Sequence, residues 1–89
     1  MEHKQTAAEW IFEFNQKHPE VEITISTFLP SVKGIHIYIE DRSHTVKKAA
    51  ISHILTSLDI QSVNMSIDEL LIITMETMWK EVEKLWTNS

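Results

Sequence analysis

The residues with chemistry to offer are five histidines, a Ser-His pair beside an aspartate, and one small group of cations. His3, His18, His36, His44 and His53 follow no ligand spacing that one helix or strand could bring to a metal, and H-E-x-x-H is absent. There is no cysteine, hence no thiolate site and no disulfide framework. Asp41, Ser43 and His44 carry the residue types of a nucleophilic triad. Triads are assembled in space from separate segments, however, and three chain neighbours do not normally reach that geometry. Ser43 or Thr45 as a helix cap accounts for the cluster without chemistry. A single glycine leaves no phosphate-cradling loop. We therefore expect a non-enzyme with no catalytic residue, no metal and no cofactor.

Cations gather at one place only. Arg42, Lys47 and Lys48, with His44 and His53 nearby, are the candidate phosphate contacts at the start of a predicted helix, whose N-terminus can itself take a phosphate. Glu40 and Asp41 adjoin them, and the chain carries a net charge of −5. Binding held by phosphate contacts needs a clustered basic face, so nucleic acid is disfavoured as a partner.

What remains is chemistry of contact. Residues 27–34 read T-F-L-P-S-V-K-G between two alternating runs, where a turn in water should be polar. Phe28 also falls on the polar parity of the strand before it, so it does not simply extend the apolar face. Phe28, Leu29 and Val32, together with Tyr38, Trp79 and Trp86, are the expected partner-binding residues, since contact energy concentrates in a few large anchors.

These side chains need elements to hold them. Residues 5–17 predict a helix, with Thr6 as N-cap, Glu9 as its capping-box partner and Pro19 as the stop. Ala7, Ile11 and Phe14 share its inner face, and Trp10 and Phe12 flank it. Residues 21–26 and 35–40 alternate strictly and predict an antiparallel hairpin. Val21, Ile23, Ile25, Ile35, Ile37 and Ile39 would be its dry face, and Glu22, Thr24, Ser26, His36, Tyr38 and Glu40 its wet one. A second helix is expected at 45–58, with Ala50, Ile51, Ile54, Leu55 and Leu58 inward and Asp59 as its C-cap. Residues 60–65 read either as a short third strand or as an extended connector. Ser66 and Glu69 predict the start of a long amphipathic helix to about residue 86. Its seam is Leu71, Met75, Met78, Val82 and Leu85, with Ile72, Trp79 and Trp86 seven apart on the flank.

The expected fold is α+β in the order αββαα, one small globular domain over residues 1–89. Such a chain buries only roughly 60–65% of the surface its unfolded form exposes. No apolar run approaches the roughly 20 residues that span a bilayer, and the polar start lacks the apolar stretch of a signal peptide, so a cytoplasmic location is expected. Twelve isoleucines and seven lysines stand against one arginine, one glycine and four alanines, the bias of an AT-rich genome such as a low-GC bacterium or its phage. The functional expectation is a non-enzymatic protein-binding module, a small acidic regulator or inhibitor of a larger protein. A structural or regulatory homodimer is the alternative, and a nucleic-acid-binding regulator using residues 42–53 ranks below it.

Overall fold

The computed structural model describes residues 4–27, 34–43 and 49–87. The chain runs helix, three strands, short helix, long helix, an α+β architecture. The first helix, α1 (Ala7–Lys17), begins as its sequence predicts. The Thr6 hydroxyl accepts the Glu9 N–H at 3.2 Å, and the Glu9 carboxylate accepts the Thr6 N–H at 3.0 Å. The Ala7 N–H, another donor that no helical turn can satisfy, goes to Asp68 Oδ1 at 2.9 Å, which ties the start of α1 to the start of the last helix. At the far end the His18 N–H closes on the Phe14 carbonyl at 2.8 Å before Pro19 stops the helix.

Strands β1 (Val21–Ser26) and β2 (Gly34–Asp41) pair antiparallel, with Ile23 opposite Ile39 and Ile25 opposite Ile37. β2 pairs again, on its other edge, with β3 (Ala49–Thr56), placing Ile39 opposite Ile51 and Ile35 opposite Leu55. The sheet order is β1-β2-β3. Its odd-numbered apolar residues face α1 and the long helix α3 (Ile67–Thr87), while the odd-numbered His53 stays exposed. Ile37, Ile39, Met75 and Val82 are fully buried where sheet and α3 meet. Ser66 caps α3: its hydroxyl accepts the Glu69 N–H at 3.2 Å and its carbonyl the Leu70 N–H at 3.0 Å. Leu71, Met75, Met78 and Val82 hold the expected seam, but Leu85 leaves it and stays 46% exposed.

Several expectations need correction. Residues 49–56 form an edge strand, not the helix expected at 45–58. The run A-A-I-S-H-I-L-T fits both templates. As a helix it lines up Ala50, Ile51, Ile54, Leu55 and Leu58; as a strand it lines up Ala49, Ile51, His53 and Leu55. The second set is chosen because β2 otherwise carries an unpaired ladder of N–H and C=O groups along one edge. Ala49 and Leu55 are accordingly buried, while Ala50 and Ile54 are exposed and Leu58 is 74% exposed. The third strand thus lies before the short helix, not at 60–65. That helix, α2 (Ser57–Ser62), starts at the Thr56 cap. Asp59 is its N3 residue rather than a C-cap, and accepts the Thr56 N–H at 2.9 Å. The wet face of the hairpin is also not uniformly wet, since Glu40 is only 4% exposed.

Candidate protein-contact site

Trp10 and Phe14 of α1 and His18, its C-cap residue, recur every four residues and so lie along one stripe. The rings of Trp10 and Phe14 lie nearly parallel, centroids 5.1 Å apart. Phe14 meets Trp79 of α3 edge-on at 5.0 Å, and the His18 ring sits 4.6 Å from Phe14 and 4.9 Å from Trp79. Phe14 is buried at the bottom of this cluster, whereas Trp10, His18 and Trp79 are half-buried. Edge-to-face and offset contacts of this kind add to area burial, so the four rings form a firm wall.

The wall borders a cleft of about 310 Å³ between α1 and α3, rimmed by Glu13 and Lys17 on one helix and Glu76, Lys80 and Glu83 on the other. A second hollow of about 290 Å³ adjoins it toward the ends of β1 and β2. The two share His18, Trp79 and Glu83, and the second adds Glu20, Asp41 and Trp86. Asp41 is 3% exposed. Its two carboxylate oxygens accept the Ser43 N–H and the Trp86 indole N–H, each at 2.9 Å. A buried carboxylate survives only when its lone pairs are engaged, which explains why Trp86 points inward here.

A second carboxylate is held on the opposite face of the sheet. Glu40 accepts from the Tyr38 hydroxyl at 3.2 Å and from Arg42 Nε at 2.6 Å, and Arg42 reaches Glu22 at 3.4 Å. The hydrogen bond to Glu40, then the charges of Glu40 and Glu22, raise the Arg42 guanidinium above its ordinary pKa. At the start of α2, the Asp59 carboxyl is held below the usual carboxylate range, first by the backbone N–H of Thr56 and then by its hydroxyl.

The predicted contact residues therefore separate. Trp79 lines the cleft, Trp86 is bonded to Asp41 beside it, and Tyr38 lies half-buried on the other side of the sheet. Phe28, Leu29 and Val32, and the cations Lys47 and Lys48, lie outside the described residues. Arg42, the remaining candidate for phosphate, sits between two carboxylates just past the end of β2. Trp10, Phe14 and His18 were not singled out as contact residues, although their spacing of four was visible in the sequence. Among the described residues, no three of His, Asp and Glu converge as a metal would require, and no helix is long and apolar enough to cross a membrane. No protein-family model, curated protein or solved structure matches the chain.

Proposed function

We propose that this chain is a non-enzymatic protein-binding module, a small acidic cytoplasmic regulator or inhibitor of a larger protein. Its codon-linked composition suits a phage or mobile element of an AT-rich bacterial host. The contact surface is the cleft between α1 and α3. One observation carries the reading: two tryptophans, Trp10 and Trp79, are left half-exposed on a rigid aromatic wall with charged residues along its rim. Protein interfaces concentrate energy in such centrally placed aromatics ringed by polar groups. Phosphate binding is less well supported, because Arg42 already spans Glu22 and Glu40.

A homodimer is the second reading. It rests on β1 and β3, the outer strands of the sheet, and on Leu58, Ile67 and Ile73, which are all exposed. Light scattering on the purified chain separates the two. For the cleft itself, the chain serves as bait in extracts of its native host, beside the variants Trp10→Ser and Glu76→Arg. Loss of the captured protein by variants that keep their circular dichroism and melting profile supports the cleft. Capture that is indifferent to both variants overturns it.

A further inference from the structure

We infer that the cleft takes a cationic side chain of a partner protein, an arginine, stacked on Trp10 and held by the carboxylates around it; this rests on the cleft being the contact surface. The cleft is lined by three carboxylates, Glu13, Glu76 and Glu83, against two lysines, Lys17 and Lys80, a net of −1 without His18, and the adjoining hollow adds the carboxylate of Glu20 with no further lysine. Acidic groups around a low-dielectric aromatic wall focus a negative potential into the hollow. Trp10 stacks one face of its indole on Phe14, is half-buried and lines the cleft, so part of the ring borders the hollow where a cation would sit. A cation over an indole face is attracted by the ring quadrupole. A guanidinium suits this arrangement better than an ammonium, because it is flat enough to lie on the ring and carries several N–H donors for carboxylates on both helices.

The same charges argue against other occupants. A phosphate or acidic peptide would enter against the net charge. A second copy of the chain brings one arginine, Arg42, which is already paired with Glu22 and Glu40, and it carries −5 of its own. A basic segment of a different protein meets neither obstacle.

The probe is the tripeptide acetyl-Gly-Arg-Gly-amide, titrated into the ¹⁵N-labelled full chain while the indole N–H resonances of Trp10, Trp79 and Trp86 are followed. The analogue with citrulline in place of arginine keeps the planar shape but loses the charge, with an acceptor oxygen replacing one of the donor nitrogens. The expected result is saturable, millimolar shifts at Trp10 and Trp79, with citrulline about fivefold weaker, the ratio a single cation–π contact gives. The double variant Glu76→Gln, Glu83→Gln should weaken the arginine peptide. Lys17→Gln with Lys80→Gln should strengthen it, an opposite sign that general loss of structure does not produce. Equal shifts from arginine and citrulline, shifts confined to residues outside the cleft, or no shift from either peptide would overturn the inference. If Trp10→Ser abolishes capture of the native partner while the tripeptides show no preference, the cleft reading stands and the arginine falls. Arginine preference with capture indifferent to Trp10 gives the reverse.

Discussion

Trp86 donates its indole Nε1–H to Asp41 Oδ2 at 2.9 Å, joining the last turn of α3 to the end of the central strand across 45 positions of sequence. A tryptophan this near the end of the helix reads in sequence as spare apolar surface. In the folded chain it is a donor to a carboxylate that water hardly reaches. Trp86→Phe keeps most of the ring area and removes the N–H. It should lower stability by about 1.5–3 kcal/mol, the usual worth of a hydrogen bond to a charged group. A urea midpoint that does not move would return Trp86 to the contact residues.

Gly34, the only glycine, opens β2 opposite Thr56. A Cβ there would stand 2.5 Å from the backbone carbonyl oxygen of Leu55. Gly34→Ala must therefore push β2 and β3 apart at this end, because a backbone atom cannot turn aside as a side chain can. The expected cost is about 1–3 kcal/mol, typical of overpacking. Thermal melts measure it, and an unchanged or raised midpoint would contradict the close approach.

The strand at 49–56 has its own test. Leu55 points into the core and Leu58 into solvent. Leu55→Ala should lose about 2–5 kcal/mol, as emptied aliphatic sites do. Leu58→Lys should change stability by no more than about 0.5 kcal/mol. A helix over 45–58 would make both substitutions costly, so chemical denaturation of the pair discriminates strand from helix.

The cap of α2 makes an acid-dependent contribution. The Asp59 carboxyl has a lower pKa folded than unfolded, because the Thr56 N–H and hydroxyl bond its charged form. Its contribution is complete above the ordinary carboxylate pKa of about 4 and disappears as pH falls through the lower folded value. The wild type should therefore melt higher than Asp59→Asn at neutral pH, and the gap should close as pH falls below about 4. A gap independent of pH would mean that the charge of Asp59 plays no part.

Much of the scaffold was legible without coordinates, and for local reasons. Thr6 with Glu9 and Ser66 near Glu69 mark helix starts because a capping hydroxyl reaches only its own chain. V-E-I-T-I-S and I-H-I-Y-I-E mark strands because period-two alternation has one reading. Asp59 resembles a helix end for an equally local reason: T-S-L-D carries a shorter acid at N3 than the usual Glu, which disguises the capping box that starts α2.

The candidate site was only half legible. Trp79 could be named from its seven-residue spacing, and the ladder Trp10, Phe14, His18 was present in the sequence. That the two stripes meet at 5 Å depends on how α1 and α3 lie side by side over the sheet.

The sequence by itself determined where local chemistry acts within a few residues: the helix caps, the stop at Pro19, the alternation of the hairpin, the seam of α3. Tertiary structure alone decided what residues 49–56 become, which carboxylates are buried and where the tryptophans point. The physical reason is the range of the forces involved. Capping and periodicity are satisfied within one turn or one strand. The pairing of β2 on both edges, the burial of Asp41 beneath Trp86 and of Glu40 beside Arg42, and the clearance at Gly34 are set by groups that meet only once distant segments have packed.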